Sequence, residues 1–400
     1  MDFLAPLKRK ADTKLLMLIA DGLGGLPRTP GGLTELETAR TPNLDRLAKE
    51  GTCGLLDPVS PGITPGSGPA HLALFGYDPI TCNVGRGLLG ALGVGFPIQH
   101  GDVAARINFC TVDAHGRVTD RRAGRIATDV NQRLVQKLRK AVELQGAEFF
   151  LETEKEHRAV VIFRGAELHD ALNDTDPQVT GVKPHEVIAA DEKSKKMAKI
   201  AQDFINQAAK ALANEHPANM LLLRGFARSE KFRSMQEIYG ITCGAIATYP
   251  MYRGVAKLVG MDVIECGPEP EDEVEALKGS FATYDFFYVH YKKTDSRGED
   301  GDFDAKVREI EHFDSLLPAI RELKFDVIAV TGDHSTPAVL KAHSWHPCPV
   351  VLWSKYERTD LCDAFGETQC ATRGALGRHP STHLMPLMLA NAMRLEKFGA

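Results

Sequence analysis

The sequence predicts an α/β protein with a largely parallel central sheet. Three short apolar runs, at residues 15–20, 285–290 and 327–330, support this prediction. They lack the polar alternation of a half-exposed strand, so they are typical of strands that are buried on both faces. Each run is followed by a turn that carries an aspartate, and segments with helical spacing lie between the runs.

The composition is that of an ordinary globular protein. Of the 400 residues, 43% are apolar and 25% are charged, which is close to the average for folded chains. This length suits one large domain with a smaller one, or two domains. The net charge of −5 gives no general electrostatic reason to bind nucleic acid. No apolar run approaches the ~18 residues that a membrane span needs.

The cysteines and the N-terminal segment bear on the cellular compartment. The eight cysteines are scattered without a Cys-x-x-Cys pair, a pattern that predicts reduced thiols in a cytoplasmic protein. Residues 8–10 are basic and precede the apolar run 15–20, which faintly imitates a secretion signal. That run is too short and stops at Asp21 without a cleavage-like site. We therefore expect a cytoplasmic protein.

Acidic and histidine side chains follow the apolar runs. Asp21 follows the first run, Asp295 the second, and Asp333 and His334 the third, with His343 nine residues further on. Because the carboxyl ends of parallel strands lie at one edge of a sheet, these residues can converge. Carboxylates and imidazoles are the donors of divalent-metal sites. The alternative is a capping aspartate with surface histidines, since short metal motifs give many false positives.

Ser67 lies between two glycines, directly before a helix-like segment at residues 70–75. On this turn alone, such a serine is more typical of a helix cap. It is also a place where free backbone N–H groups would stabilise a phosphorylated hydroxyl. Two divalent ions can hold the attacking and leaving oxygens of a phosphoryl transfer. Beside such ions Ser67 would be a nucleophile.

Residues 85–90 match the G-x-G-x-x-G pattern of dinucleotide-binding loops by count. No clear strand precedes them, and the following stretch is broken by further glycines. We interpret the match as a false positive, because the strand–turn–helix context is missing.

A cluster of arginines lies within residues 102–126. Guanidinium groups grip phosphate and carboxylate through paired hydrogen bonds. By itself the segment is more typical of a solvated hairpin, and an anionic small substrate would favour the binding interpretation. The clustered residues are Arg106, Arg117, Arg121, Arg122 and Arg125.

The sequence resembles the archaeal-type, cofactor-independent phosphoglycerate mutases of the alkaline phosphatase superfamily, over essentially the whole chain. The matching stretches are residues 21–24, 67–71, 74–79, 85–87, 120–125, 223–225 and 331–337. The resemblance implies an alkaline-phosphatase-like α/β/α sandwich core with a smaller inserted α+β domain. We expect the metal-binding core at residues 1–103 and 237–400, and a substrate-binding cap at residues 104–236.

The resemblance also implies an activity, the interconversion of 3-phosphoglycerate and 2-phosphoglycerate in glycolysis and gluconeogenesis, without 2,3-bisphosphoglycerate. Ser67 would carry a phosphoserine intermediate. One divalent ion would be held by Asp21, Ser67, Asp333 and His334, and the other by Asp295, Glu299 and His343. The implied substrate-binding residues are Arg121, Arg122, Arg125, Arg224, Arg253 and His71, and Asp120 is a candidate proton carrier.

One position departs from the family pattern. The family has Asp-x-x-x-His after the second of the three runs, whereas this chain has Asp295 followed by Glu299. A carboxylate in place of a neutral imidazole favours Mn²⁺ or Mg²⁺ over Zn²⁺. His290 is the alternative ligand, and His346 is a further imidazole near the predicted site.

Other functions stay open at this point. The nearest alternative is a metal-dependent phosphatase or another phosphotransferase of the same superfamily, because the metal-binding residues alone do not distinguish them. A catalytically inactive anion-binding scaffold is a second alternative, and a nucleotide-binding oxidoreductase is a third. We expect a small-molecule substrate, with neither a nucleic acid nor a membrane as partner, and the sequence leaves a homo-oligomer open.

Overall fold

Two β-sheets organise the chain, and each belongs to its own compact unit. The computed structural model describes residues 2–82, 84–230 and 232–399. One unit comprises Met1–Asn83 together with Arg233–Ala400, and the other comprises Val84–Phe232. We call them the core unit and the inserted unit.

Thirteen strands are found in the described part of the chain. In chain order they are β1 (Leu15–Ala20), β2 (Thr52–Asp57), β3 (Val103–Val112), β4 (Val118–Asp120), β5 (Glu148–Lys155), β6 (Arg158–Arg164), β7 (Met220–Arg228), β8 (Cys243–Ala247), β9 (Asp262–Val263), β10 (Phe286–Tyr291), β11 (Val327–Thr331), β12 (Cys348–Ser354) and β13 (Gly377–Pro380).

Thirteen α-helices accompany these strands within the described residues. They are α1 (Glu35–Thr38), α2 (Pro42–Glu50), α3 (Ser67–Leu74), α4 (Arg86–Gly93), α5 (Thr128–Ala141), α6 (Lys195–Leu212), α7 (Met235–Tyr239), α8 (Pro250–Leu258), α9 (Pro270–Ser280), α10 (Lys293–Asp300), α11 (Phe303–Arg321), α12 (Glu367–Thr372) and α13 (Leu384–Asn391). Short 3-10 helices span Asp2–Leu7, Ala123–Arg125 and Ser381–His383.

The core unit contains an eight-stranded sheet with the order β13-β2-β12-β11-β1-β10-β8-β9. The central strand β1 pairs in parallel with both β10 and β11, and all six of its residues are buried. Strand β12 runs antiparallel to β11 and to β2. The predicted α/β class with a largely parallel sheet is confirmed.

Helices cover both faces of this sheet. On one face Leu16 and Leu18 of β1 belong to the same hydrophobic core as Leu47 of α2 and Phe313 of α11. On the other face His290 of β10 stacks on Tyr252 of α8, with 3.7 Å between the ring centroids. The core unit is therefore a three-layer α/β/α sandwich, as predicted.

The inserted unit is an α+β structure built on an antiparallel sheet. Its strands have the order β4-β3-β6-β5, and β7 pairs with the other side of β3. Helices α5 and α6 pack on one face through Leu134, Leu138 and Phe204. The smaller α+β unit within the sequence of the core is confirmed.

The inserted unit begins before the predicted boundary at residue 104, and it ends at Phe232 rather than at 236. The reason is α4, which packs on the second face of the small sheet, where Ala91 contacts Ala104, Val160 and Ile162. The predicted role of this unit as a substrate-binding cap stays a prediction.

The glycines of residues 85–90 have a packing role. Among the described residues no strand lies between β2 and α4, so the context of a dinucleotide-binding loop is absent. A Cβ atom on Gly87 would lie 2.4 Å from the carbonyl oxygen of Ala104. Glycine is therefore needed because helix and strand approach each other closely.

The start of helix α2 is stabilised by a tertiary contact. Thr41 is the N-cap residue, but among the described residues its side chain makes no capping hydrogen bond. Instead the Asp314 carboxylate of α11 accepts hydrogen bonds from the backbone N–H groups of Asn43, at 3.1 Å, and of Leu44, at 2.7 Å. A carboxylate at a helix N-terminus also interacts favourably with the helix dipole.

The longest helices are α11 with 19 residues and α6 with 18 residues. Within residues 2–82, 84–230 and 232–399, no helix combines the length and the apolar composition needed to cross a bilayer.

A buried glutamate in α9 gives the stability of the fold a specific pH dependence. Glu273 is only 4% exposed, and burial raises the pKa of its carboxyl group from 4.5 to about 8. The folded state therefore keeps a proton that the unfolded state has lost, so unfolding free energy falls as pH rises through this interval. Each unit of pKa difference corresponds to about 1.4 kcal/mol.

We expect Glu273→Gln to remove this pH dependence. The stability of the wild type relative to the variant should fall by at least about 1 kcal/mol between about pH 5 and pH 9. Urea unfolding followed by circular dichroism across this range measures the difference. Glu275→Gln, at an exposed position of the same helix, is the matched control. A pH-independent difference between wild type and Glu273→Gln would contradict the assignment.

Candidate active site

The carboxyl ends of three neighbouring strands define one edge of the large sheet. Ala20 at the end of β1 is in register with Tyr291 at the end of β10, and Ile19 is in register with Thr331 of β11. The residues that follow these strand ends are therefore brought together. They include Asp21 after β1, Asp295 after β10, and Asp333 and His334 after β11.

The first ligand group consists of Asp21, Ser67, Asp333 and His334. Both aspartates and the histidine are fully buried, and their candidate ligand atoms lie within 4.8 Å of one another. His334 Nε2 is 3.3 Å from Asp21 Oδ1 and 3.3 Å from Asp333 Oδ2. Ser67 Oγ lies 3.3 Å from the same nitrogen, so the hydroxyl and both carboxylates surround one imidazole nitrogen.

Ser67 is the first residue of α3 rather than its cap. The N-cap is Gly66, and the Ser67 side chain makes no capping hydrogen bond among the described residues. The capping interpretation of this turn is therefore wrong, because the helix starts one residue earlier than a capping serine requires. The extended backbone of Gly66 (φ −87°, ψ 155°) leads the chain into the helix, and Ser67 remains half-buried.

Hydrogen bonding fixes the tautomer of His334. The Thr336 hydroxyl donates to Asp295 Oδ1 at 2.6 Å and lies 3.0 Å from His334 Nδ1. Since Thr336 has a single hydroxyl proton, it must accept the second bond from the Nδ1–H group. The lone pair of His334 is thus on Nε2 and faces the first ligand group, as in metal-binding histidines with an oriented ring.

Burial and nearby charges shift the pKa values of the two neighbouring carboxyl groups in opposite directions. Burial opposes the ionisation of Asp21, but the Lys292 ammonium group, 2.8 Å from Asp21 Oδ2, outweighs it and holds the pKa of Asp21 well below its usual value. Burial and the nearby Asp21 carboxylate raise the pKa of Asp333 well above its usual value. Burial, reinforced by His343, lowers the pKa of His334 to about 3, so its ring is neutral.

Several buried polar atoms at this edge make no hydrogen bond with any described residue. They are Asp21 Oδ1, Asp333 Oδ2, His71 Nε2 and both ring nitrogens of His290. Leaving such atoms unpaired in the interior is costly unless a cation accepts their lone pairs. The donor set of the first ligand group therefore fits a divalent ion.

The second ligand group consists of Asp295, His334 and His343. His343 stacks on His334 with 3.7 Å between the ring centroids, and its Nε2 lies 3.8 Å from Asp295 Oδ1. The other nitrogen, Nδ1, lies 3.0 Å from the Pro65 carbonyl oxygen. A carbonyl only accepts, so Nδ1 carries a proton, and in the neutral ring the lone pair is on Nε2, the nitrogen nearer to Asp295.

Three further histidine and glutamate residues singled out in the sequence are not members of the two ligand groups. Glu299 is exposed on α10, and its carboxylate belongs to none of the groups of potential metal ligands found among the described residues. His290, the alternative ligand, is fully buried with Nε2 3.5 Å from Asp21 Oδ2. His346 stacks on Trp345, and its Nδ1 lies 3.0 Å from Ser344 Oγ.

His71 was predicted to bind the substrate, but it is fully buried on α3. Its Nδ1 lies 2.8 Å from the Ser67 carbonyl oxygen and 3.3 Å from Asp333 Oδ2. Burial lowers the pKa of His71 to about 4. The neutral ring therefore packs behind Ser67 and Asp333.

The sequence reasoning missed two residues that contact the ligand groups directly. Lys292 contacts Asp295 Oδ2 as well as Asp21 Oδ2. The Tyr252 hydroxyl donates a hydrogen bond to Asp21 Oδ2. The position of Lys292, just past the end of β10, was a usable signal, whereas nothing in the sequence around Tyr252 indicates its contact.

Lys306 holds the two site-bearing loops together. Its side chain is completely buried on α11. The ammonium group donates hydrogen bonds to the carbonyl oxygens of Gly22 at 2.8 Å, Gly24 at 3.0 Å and Thr336 at 2.9 Å. These residues flank Asp21 on one loop and His334 on the other. The Gly22 N–H group in turn donates to Asp333 Oδ1 at 3.1 Å.

Two predicted substrate-binding arginines of the inserted unit contact the same carboxylate, that of Asp176. Arg121 forms a paired interaction with Asp176, through Nε at 2.8 Å and Nη2 at 2.7 Å. Arg224 Nη1 lies 3.2 Å from Asp176 Oδ2. The structure thus places the two guanidinium groups side by side on one carboxylate.

The remaining predicted residues of this set have other local contacts. Arg122 and Arg125 are exposed. The Asp120 carboxylate accepts hydrogen bonds from the backbone N–H groups of Arg122, at 2.8 Å, and Gly124, at 2.6 Å, so it stabilises a tight turn. In the core unit, Arg253 pairs with Glu265.

The arrangement at the sheet edge defines a class of protein. A serine hydroxyl beside buried carboxylates and neutral imidazoles with free lone pairs is typical of enzymes that transfer phosphoryl groups with the help of divalent ions.

Comparisons with known proteins narrow this class. A family model described as 2,3-bisphosphoglycerate-independent phosphoglycerate mutase matches residues 48–219. A protein of Thermus thermophilus named as a probable mutase of this kind is 51% identical, over 99% of this chain and 98% of its own length. A protein of Deinococcus radiodurans with the same name is also 51% identical, over 100% of this chain and 99% of its own length.

Two solved structures share the fold. A protein from Pyrococcus horikoshii is 31% identical with a TM-score of 0.84, covering 98% of this chain and 100% of that one. The cofactor-independent phosphoglycerate mutase from Thermoplasma acidophilum is 27% identical with a TM-score of 0.68, covering 95% of this chain and 100% of that one. This chain belongs to the family of 2,3-bisphosphoglycerate-independent phosphoglycerate mutases.

We expect Lys306→Met to destabilise the protein and to loosen the first ligand group. Three carbonyl oxygens would lose a charged donor, and breaking a buried charge interaction typically costs about 3–5 kcal/mol. Removal of the buried charge offsets part of this cost, so we expect a loss of about 3 kcal/mol in unfolding free energy. Chemical denaturation measures the stability, and equilibrium dialysis with Mn²⁺ measures the affinity of the site.

Lys49→Met, which removes an exposed lysine of the core unit, is the control for this variant. Unchanged Mn²⁺ affinity in a folded Lys306→Met protein would show that Lys306 does not position the ligand residues.

Proposed function

We propose that this chain interconverts 3-phosphoglycerate and 2-phosphoglycerate through a phosphoserine at Ser67. The observation that carries the proposal is the position of the Ser67 hydroxyl, 3.3 Å from His334 Nε2 in the first ligand group. The relatives named as probable mutases, at 51% identity over nearly the full chain, support the same activity. No 2,3-bisphosphoglycerate is needed in this scheme.

The two ligand groups would hold divalent ions, with Mn²⁺ or Mg²⁺ favoured and Zn²⁺ as an alternative, because three of the six donor residues are carboxylates and none is a thiolate. Asp21, Ser67, Asp333 and His334 would hold one ion, and Asp295 with His343 would provide ligands for another. Such ions supply Lewis acidity, which neutralises phosphate charge and favours ionisation of a nearby hydroxyl.

Ser67 performs the covalent chemistry in this proposal. Its Oγ attacks the phosphorus of 3-phosphoglycerate in line, giving up its proton as the new P–O bond forms. The bond between phosphorus and the C3 oxygen breaks and the C3 oxygen takes up a proton, which leaves a phosphoserine and glycerate. The 2-hydroxyl of glycerate then attacks the phosphoserine and gives up its proton. The Oγ–phosphorus bond breaks, Oγ takes up a proton, and 2-phosphoglycerate leaves with the serine restored.

The surroundings of Ser67 suit this role. Ser67 is half-buried, so a substrate can reach this residue, whereas Asp21 and Asp333 are fully buried. The neutral His71 ring lies behind the Ser67 backbone, 2.8 Å from its carbonyl oxygen. Contacts of this kind limit the movement of the nucleophile and so keep it aligned for attack.

Lys292 adds a fixed positive charge beside the first ligand group. Its ammonium group is 2.8 Å from Asp21 Oδ2, and the two aspartates that it contacts raise its pKa against the opposing effect of burial. A cation at this position stabilises negative charge that develops on a transferring phosphoryl group.

The substrate carboxylate requires a separate set of donors. We assign it to the arginines of the inserted unit, with Arg121 and Arg224 as the principal pair, because their guanidinium groups lie together on Asp176. Arg122, Arg125 and Arg253 are further candidates from the family resemblance. Holding glycerate between the two transfers separates a mutase from a phosphatase, since water would otherwise hydrolyse the phosphoserine.

Ser67→Ala should abolish isomerisation while the protein remains folded. Loss of a covalent nucleophile typically lowers kcat by more than about 10³-fold. An enolase-coupled assay measures formation of 2-phosphoglycerate, and a phosphate-release assay runs in parallel on the same samples. Ser60→Ala, in the loop before α3, is the control for a serine that does not face the ligand groups.

Appreciable turnover by Ser67→Ala would rule out the phosphoserine. Phosphate release by the wild type without formation of 2-phosphoglycerate would instead identify the protein as a phosphatase of the same fold.

Arg224→Met should raise the KM for 3-phosphoglycerate. A hydrogen bond to a charged group contributes about 1.5–3 kcal/mol, which corresponds to an increase of about 10-fold to 100-fold. The enolase-coupled assay measures KM and kcat. Arg133→Met, which removes a surface arginine paired with Glu215, is the matched control in the same unit. An unchanged KM in Arg224→Met would remove this residue from the substrate-binding set.

A further inference from the structure

The two ligand groups differ in how many of their donor atoms are free. In the first group Asp21 Oδ1 and Asp333 Oδ2 make no hydrogen bond with any described residue, and the lone pair of His334 Nε2 faces both. Its two aspartates therefore offer a cation two oxygen atoms without breaking an existing bond, whereas His334 Nε2 lies 3.3 Å from the Ser67 hydroxyl, which is itself a proposed ligand.

In the second group the carboxylate of Asp295 is already engaged. The Thr336 hydroxyl donates to Oδ1 at 2.6 Å, and the Lys292 ammonium group donates to Oδ2. His343 Nε2, 3.8 Å from Asp295 Oδ1, is the remaining donor with a lone pair in place. Since Glu299 is exposed on α10, it does not complete this group.

Lys292 connects the two groups. Its ammonium group contacts Asp21 Oδ2, at 2.8 Å, and Asp295 Oδ2, so it lies between one carboxylate of each group. A divalent ion that binds Asp295 must displace this contact or share the carboxylate with a positive charge a few ångströms away. Like charges at such a distance repel each other strongly at a site shielded from water.

We propose that Lys292 competes with a second divalent ion for Asp295, so that the chain binds one ion firmly and takes up the second only together with the phosphate of its substrate. The phosphate oxygens would supply the ligands that the chain itself does not provide, and they would also accept the Lys292 ammonium group. This inference rests on the proposed function, because it concerns the same site.

Linkage between phosphate and the second ion follows from this arrangement. If phosphate raises the affinity for the second ion by some factor, the second ion must raise the affinity for phosphate by the same factor. Couplings between binding sites are commonly about 5-fold to 150-fold, so we expect an effect of at least about tenfold.

The experiment measures Mn²⁺ binding to the full-length protein by equilibrium dialysis, with and without inorganic phosphate. Without phosphate we expect one firmly bound ion and a second with at least about tenfold weaker affinity. With phosphate the second affinity should rise at least about tenfold. Electron paramagnetic resonance provides an independent readout, since two neighbouring Mn²⁺ ions give a spin-coupled signal that a single ion lacks.

Lys292→Met should raise the affinity for the second Mn²⁺ ion, whereas loss of a merely structural contact would not raise it. Removal of the ammonium group frees Asp295 Oδ2, so the second ion should bind more tightly without phosphate, and the effect of phosphate should shrink. Lys293→Met is the matched control, because the neighbouring Lys293 pairs with the exposed Glu269 at the surface. If Lys292→Met fails to fold, Lys292→Gln keeps a hydrogen-bond donor without the charge.

Three results would overturn the inference. The first is two equally firm ions in the wild type without phosphate, and the second is an unchanged or weaker second ion in a folded Lys292 variant. The third is loss of the second ion in Glu299→Gln, which would show that Glu299 is a ligand after all. Any of these results can be obtained with a protein that forms 2-phosphoglycerate in the enolase-coupled assay. A protein that binds both ions as expected but forms no 2-phosphoglycerate would refute the proposed function alone.

Discussion

The burial of two neighbouring carboxylates is the constraint on which the site depends. Asp21 and Asp333 are fully buried at one sheet edge, where ionised groups are stable only if positive charge or hydrogen-bond donors surround them. Lys292 supplies charge on one side, and the Gly22 N–H group supplies a donor to Asp333 on the other. The atoms that still lack donors face Ser67 and His334, which is where the chemistry is proposed to occur.

The large sheet holds these buried charged groups close together. Parallel pairing of β1 with β10 and β11 brings three loops from distant parts of the sequence to one edge. Apolar cores on both faces then fix the strands, so the loops have little freedom to separate their charges. The stability of the sandwich therefore keeps unpaired polar atoms together at its edge, as is common where function opposes local stability.

The strands and the residues that end them were predictable from the sequence, because unbroken apolar runs such as Leu15–Ala20 have one obvious structural solution. Convergence of Asp21, Asp333 and His334 also followed, since parallel strands share an edge. The contacts of Tyr252 and Lys306 were not predictable, because each reaches the site from a helix whose sequence looks like an ordinary amphipathic segment. The capping of α2 by Asp314 was not predictable either, because its donor and acceptor are 271 residues apart in the chain.

Because of Lys306, the two loops that carry the site do not depend on a metal ion to hold them together. A covalently attached cation already bridges the backbone of the two loops, so folding does not have to wait for an ion to arrive. On this basis we expect the chain to fold without a bound ion and to be loaded afterwards. Chelation would therefore silence the enzyme reversibly, in contrast to zinc-finger domains, in which removal of the ion unfolds the chain.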